Sequence, residues 1–296
     1  MNSQVPAGDS LLEMAWVNGE FVAPAAAKVS ALDRGFIFGD AVYEVVPAYG
    51  GNLFLLQSHL QRLARSLEIT RIRNPYSDEQ WGDLLQGLVD RCGNHDQSVY
   101  LQVTRGVAPR DHAFPDVEPT VFCLSRPLAE TSDQQLSQGL VAITTADIRW
   151  DYCHAKTTSL IANVMLRQQA VDAGADEALL LRDGLLTEGS ASNAFVVVRG
   201  ELLTPTAGEQ LLHGITRERI LQLARQQNIP VAERSVSEQQ LRRADEICIS
   251  SSTKGILPVT QLDDMAVGEG TPGPVWHAIW QAYQAEIAQL RKGAAG

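Results

Sequence analysis

Residues 151–160, DYCHAKTTSL, form a polar run centred on Lys156, one of only four lysines in the chain. The others are Lys28, Lys254 and Lys292, and basic charge elsewhere is carried by arginine. The following stretch, IANVMLRQQAVDAGAD, reads as an amphipathic helix, with Thr157, Thr158 and Ser159 as good N-cap residues before it. A lysine at a helix N-terminus faces the positive end of the macrodipole, which disfavours its ammonium form. Desolvation acts in the same direction, and a neutral amine is a nucleophile. A helix built for stability alone would carry Asp or Glu there.

Three further stretches offer complementary chemistry. LLTEGSASN sets Glu188 directly after a strand and before small residues, so a carboxylate is available to a cationic ring nitrogen. HGITRERIL puts Gly214, Ile215 and Thr216 at a helix start, where unsatisfied N–H groups and the dipole attract an anion. SSST, Ser250 to Thr253, supplies hydroxyls and amides for the same purpose. Taken singly, each has an ordinary structural reading: a solvated lysine, a turn glutamate, plain capping. Together they outline a ligand with a phosphate, a protonatable ring nitrogen and a carbonyl that accepts an amine, which describes pyridoxal 5′-phosphate.

The elements that must position these groups are legible as patterns. MAWVNGEFVAP alternates as a hairpin turning at Asn18-Gly19, and DAVYEVVPAYGGNLFLL as a second turning at Gly50, Gly51 and Asn52. LQSHLQRLARSLEI carries Leu56, Leu60, Leu63 and Leu67 at helical spacing, DEQWGDLLQGLVDRC is another helix, and SVYLQVTRG and TVFCLSRP are strands. RPLAETSDQQLSQG lacks periodicity and reads as a connection. Beyond it come the strand LVAITTADIRW, hairpins turning at Asp183-Gly184 and Arg199-Gly200, the helix ITRERILQLARQQN, the strand EICISSS and a closing helix, VWHAIWQAYQAEIAQLRK. The expected fold class is α+β. A small N-terminal domain covers residues 1–127, a linker 128–138, and a larger domain carrying Lys156 spans 139–296.

Composition bounds the function. The 296 residues are 45% hydrophobic and 20% charged, ordinary for a globular protein. A net charge of −11 argues against nucleic acid or an anionic membrane as partner. No apolar run approaches the roughly 20 residues of a membrane span. The start, MNSQVPAGDSLLEM, lacks the features of a signal peptide, so cytoplasm is the expected location. Cys92, Cys123, Cys153 and Cys248 have no metal-like spacing and read as reduced, buried or half-buried thiols. No metal is expected, and the ends MNSQVPAGDS and RKGAAG read as frayed.

Seven stretches, in order, resemble the D-amino acid aminotransferases among the fold-type IV pyridoxal phosphate enzymes, relatives of branched-chain aminotransferases and aminodeoxychorismate lyases. They are LDRGFIFGDAVYEVV, HLQRLARSLEI, YLQVTRGVAPRDHAFP, DIRWDYCHAKTTSL, DEALLLRDGLLTEGSASN, LLHGITRERIL and EICISSSTKGILPV. The resemblance implies a two-domain fold-type IV enzyme with Lys156 as the Schiff-base lysine and proton carrier, and Glu188 on the pyridine nitrogen. It implies Arg62, Ile215, Thr216, Ser251 and Ser252 on the phosphate. Arg110 and His112, with Tyr43, would grip the substrate α-carboxylate, and Leu212 would line the side-chain pocket.

In the resembled family that trap comes from the neighbouring subunit, which implies a homodimer with interfacial sites. The implied reaction is ping-pong exchange between D-amino acids and 2-oxo acids: D-alanine and 2-oxoglutarate giving pyruvate and D-glutamate. The alternatives are a branched-chain L-amino acid aminotransferase, a lyase of the aminodeoxychorismate type, or a coenzyme-binding protein without turnover. HAKTTSL and SSTKGI depart from the usual pattern, and Lys254 could favour acidic substrates if it touches the site.

Overall fold

The computed structural model describes residues 13–293; the end MNSQVPAGDS lies outside them, as do the last three residues of RKGAAG. The chain divides into two compact units. One runs to Leu128 and takes in the chain from Gln289 onward, and the other spans Ala129–Ala288. The last turns group with the first unit because Asn52 Nδ2 donates to the Leu290 carbonyl at 3.1 Å and Arg291 pairs with Asp96.

The first unit is a six-stranded antiparallel sheet in the order β2-β1-β6-β5-β3-β4. Strands β1 (Met14–Val17) and β2 (Glu20–Val22) turn at Asn18 and Gly19, both with positive φ as such a turn requires. After a 3-10 turn at Pro24–Ala26 comes the short helix α1 (Arg34–Phe38), capped by Asp33 and ended by left-handed Gly39. Strands β3 (Ala41–Tyr49) and β4 (Asn52–Leu53) turn at Gly50 and Gly51. Helices α2 (Leu56–Thr70) and α3 (Asp78–Cys92) follow, the latter begun by a Ser77–Gln80 capping box. Strands β5 (Gln97–Thr104) and β6 (Thr120–Pro127) complete the sheet.

Alternation along the strands decides what faces the helices. Val42, Val46, Val99, Leu101, Val103 and Cys123 join Leu60, Leu63, Leu67, Trp81 and Leu85 in one core. Each such leucine contributes about 1.5–3 kcal/mol by leaving water. The other strand positions, Tyr43, Tyr100 and Phe122, are half-buried on the opposite phase, their rings 5.7 and 6.2 Å apart in series.

The stretch RPLAETSDQQLSQG is more than a bare connection: its first two residues end β6, and within the second unit it holds the short helix α4 (Asp133–Ser137) behind a Ser132–Gln135 capping box. Then come β7 (Leu140–Ala146), α5 (Ile161–Asp172), β8 (Glu177–Arg182), β9 (Leu185–Gly189), β10 (Asn193–Val198) and β11 (Glu201–Thr204). Helix α6 (Ile215–Gln226), β12 (Val231–Glu233), α7 (Glu238–Arg242), β13 (Glu246–Ser251), β14 (Gly255–Leu262), β15 (Met265–Ala266) and α8 (Pro274–Arg291) follow. The mixed sheet runs β12-β11-β10-β13-β14-β7-β8-β9, with β15 paired to β14. Its centre is buried on both faces, which is why NAFVVV reads as a continuous apolar run. Phe195 and Val197 meet α6 and α8, through Ile220, Trp276 and Ile279, while Ala194 and Val196 pack with Ile247, Ile249 and Val259.

Candidate active site

Glu188 lies near the end of β9, 5% exposed, and its carboxylate is surrounded by donors. Arg149 Nη1 donates to Oε1, Asn193 Nδ2 to Oε2 at 2.9 Å, and the Leu212 amide to both oxygens at 3.1–3.2 Å. Burial pushes the Glu188 carboxyl above its ordinary value, against the pull of Arg149. Arg149 is itself buried and held in the charged form by Asp147, whose carboxylate also accepts from the Thr187 hydroxyl at 2.9 Å. The arrangement is a buried acid with one guanidinium behind it.

Asn193 connects this acid to the other groups. Its Nδ2 also donates to the Leu212 carbonyl at 2.8 Å, and in the sheet it pairs with Ser250. A Cβ at Gly214 would fall 1.9 Å from Asn193 Oδ1, so only glycine lets the start of α6 approach so closely. Gly214 caps α6 with no side-chain hydrogen bond to its first turn, where Ile215 and Thr216 lie buried. Ser250 Oγ is buried with no hydrogen-bond partner, beside half-buried Ser251 and Ser252 at the end of β13. Lys254 is exposed in the turn that follows.

Half-buried Lys156 is tied to this region on either side of it in the chain. The His154 amide donates to the Glu209 carbonyl at 3.2 Å, and Asn163 Nδ2 to the Ser190 carbonyl at 2.8 Å. The expected cap is corrected: α5 begins at Ile161 with Leu160 as N-cap and no side-chain cap bond. Tight backbone turns, Thr157 N to Ala155 O and Leu160 N to Thr158 O, occupy the intervening residues. Lys156 is therefore outside the first helical turn, and the dipole, which acts only there, does not explain it. The amphipathic expectation for α5 is also modified. Only Leu166 and Ala170 of the helix are buried, whereas Ile161, Val164 and Met165 are more than half exposed.

The remaining expected residues lie in the first unit. Tyr43 is half-buried on β3 against Tyr100. Arg62, on α2, is buried, and its Nε and Nη2 donate to Glu44 at 2.7 and 2.8 Å. His59 Nδ1 lies 2.8 Å from the same carboxylate. Burial raises the Glu44 carboxyl, but the charge and hydrogen bonds of Arg62 and His59 outweigh it and hold the group well below its ordinary range. Arg110 and His112 are exposed on the loop between β5 and β6, and both lie against the Phe38 ring, at 5.1 and 5.4 Å.

Reading residues one stretch at a time missed Arg149, Asn193 and Glu44. The first two sit in quoted motifs, DIRW and GSASN, but their partners are distant in sequence. Glu44 had a signal: it shares the inward phase with Val42 and Val46.

Comparison with known proteins identifies the family and the fold. A D-alanine aminotransferase of Bacillus licheniformis is 38% identical over 271 residues, 91% of this chain and 95% of that protein. The branched-chain amino acid aminotransferase of Escherichia coli superposes with a TM-score of 0.87 at 27% identity, covering 93% of this chain and 94% of that one. The branched-chain amino acid aminotransferase of Thermoproteus uzoniensis, solved with norvaline, gives 0.86 at 26% identity, covering 95% and 96%. Residues 41–262, from the start of β3 to the end of β14, match the family described as amino-transferase class IV, and the chain belongs to that family.

Proposed function

We propose that this class IV aminotransferase uses pyridoxal 5′-phosphate to exchange amino groups between D-amino acids and 2-oxo acids. Its reaction is D-alanine plus 2-oxoglutarate to pyruvate plus D-glutamate, by a ping-pong route. The observation that carries the D-specific reading is the gathering of the Arg110 guanidinium and the His112 imidazole on one ring, a pair of donors for an α-carboxylate. The D-alanine aminotransferase relative supports it.

The residues present fit the coenzyme. An uncapped first turn of α6, the orphaned Ser250 hydroxyl and the close approach at Gly214 are features that a phosphate-bearing ligand satisfies. Ile215, Thr216, Ser251, Ser252 and Arg62 would hold the phosphate, Glu188 the ring nitrogen, and Lys156 the reactive carbonyl. The bound coenzyme supplies a sink for the electron pair left at Cα when the α-proton departs. Glu188, held as a carboxylate acceptor by Arg149, Asn193 and the Leu212 amide, would set a negative charge against the ring nitrogen and so favour a proton there. Lys156 carries the proton between the substrate Cα and the coenzyme C4′. Arg110, His112 and Tyr43 orient the carboxylate, which decides which α-hydrogen faces the lysine, and Leu212 bounds the side chain.

The working form is a cytoplasmic homodimer in which the clasp of one protomer serves its partner. Exposed Ile161, Val164, Met165 and Phe36 are apolar surface that a second copy would cover, and no helix among the described residues is long and apolar enough to cross a membrane. The similarity to branched-chain enzymes makes an L-specific reaction the competing reading. Half-reactions followed by coenzyme absorbance separate the two. D-alanine and D-glutamate should convert the enzyme to its amine form, and L-glutamate and L-leucine should not. Conversion by the L-isomers alone refutes the proposal.

A further inference from the structure

The loop between β5 and β6 is irregular beyond a single bridge at Val107, yet it carries the two side chains of the clasp. Exposed loops wander unless something fixes their backbone. The start of the loop is held by an isolated bridge between Asp33 and Val107 and by the Ala108 amide on the Leu32 carbonyl, and at the clasp itself the fixing group is Arg34. Its guanidinium Nη1 donates to the Asp111 carbonyl, the peptide oxygen lying between Arg110 and His112 in the chain. Its Nε donates to Asp40 at 2.8 Å, and Arg34 is buried.

Asp40 is itself fixed by Arg105, whose Nε and Nη2 donate to it at 2.7 and 3.0 Å. Arg105 also donates to the Thr70 and Arg71 carbonyls at the end of α2, at 2.8 and 2.9 Å. An unbroken chain of charge-assisted bonds therefore runs from the C-terminus of α2 through Arg105, Asp40 and Arg34 to the backbone of the clasp.

The local sequence builds this chain. Left-handed Gly39 ends α1 so that Asp40 turns back, its backbone amide donating to the Arg34 carbonyl at 3.3 Å. A Cβ at Gly35 would fall 2.5 Å from Thr104 Cγ2, so glycine lets α1 press onto the end of β5. The Arg34 guanidinium lies 4.8 Å from the centre of the Phe38 ring, the ring that Arg110 and His112 also touch.

We propose that Arg34 is a positioning residue for substrate binding: through the Asp111 carbonyl it holds Arg110 and His112 at the spacing of an α-carboxylate. It does not bind substrate, because it is buried and its guanidinium is taken up by Asp40 and the Asp111 carbonyl. The inference rests on the clasp reading given under the proposed function.

Arg34→Lys keeps the charge but loses the fork that reaches Asp40 and the Asp111 carbonyl together. In the holoenzyme, amide hydrogen exchange across residues 108–113 should speed up. KM for D-alanine should rise about tenfold or more, since small misplacements of binding groups are costly. Maximal kcat should stay within about threefold, and borohydride should still attach coenzyme at Lys156. Asp40→Asn, which weakens the same hold while keeping the side-chain volume, should give a smaller shift in both readouts. Arg110→Ala is the control for the clasp itself. If Arg110→Ala leaves KM unchanged, the clasp reading falls. If it raises KM while Arg34→Lys changes neither exchange nor KM, the positioning role alone is overturned.

Discussion

The surroundings of Glu188 and those of Arg110 and His112 solve opposite problems. Glu188 is buried at a strand end, and the groups that fix it are strand and loop residues with little freedom: Arg149, Asn193 and the Leu212 amide. The clasp is exposed on an irregular loop and is fixed from behind, by one buried guanidinium on a backbone carbonyl. In the reading proposed above, the first region must keep one proton at one atom through every turnover. The second must admit and release a substrate each time. A low-dielectric pocket suits the former, because it makes each charge interaction strong, and a wet loop suits the latter.

That contrast can be broken at its most demanding point. Lys156→Ala should lower turnover by about four orders of magnitude or more, since both the tether and the proton carrier are lost. Borohydride should then no longer fix coenzyme to the chain, and retention of label elsewhere would move the reactive amine to another residue. Glu188→Gln comes next, with a fall in kcat of about 10²–10³-fold and little change in KM for D-alanine, because it acts at the ring and not at the carboxylate. A rise in KM with kcat intact would erase the division between the two regions.

Glu44→Gln should affect activity less and stability more. Breaking a buried ion pair by removing one partner costs about 3–5 kcal/mol, read from the denaturant midpoint. A midpoint unchanged from the natural protein would show that Arg62 and His59 do not depend on Glu44.

The pH dependence sharpens the same comparison with smaller effects. Glu44, Asp40 and Asp147 have carboxyls held below their ordinary values, so their stabilisation is complete at neutral pH. It fades as pH falls below about 4, where the unfolded chain takes up protons that the folded chain refuses. Glu188 has the opposite sign. Its carboxyl is raised, so burying its charge costs stability at neutral pH, and the cost is relieved as pH falls through the raised value. Glu188→Gln should therefore flatten the mildly acidic part of the stability profile, and Glu44→Gln the strongly acidic part. Two identical profiles would remove the distinction.

Much of the fold was legible because its signals are local. Asn18-Gly19, Asp183-Gly184 and Arg199-Gly200 do make positive-φ turns between paired strands, and Leu60, Leu63 and Leu67 do share one buried helix face. Short elements were missed where few residues carry the pattern, such as α4, α7 and β12. The start of α5 was misplaced because Thr and Ser serve turns as readily as caps, and here the backbone turns took them.

The sequence by itself determined the candidate residues for the chemistry, the periodicities that make strands and helices, and the family to which the chain belongs. It could not decide which arginines are buried in ion pairs and which face solvent, because Arg34, Arg62, Arg105 and Arg110 look alike in one dimension. Arg34 meets Asp111 across 77 positions and Arg149 meets Glu188 across 39. Those meetings depend on how the sheets pair and what the helices cover, and only the packed chain sets that, because a buried charge goes where a partner already waits.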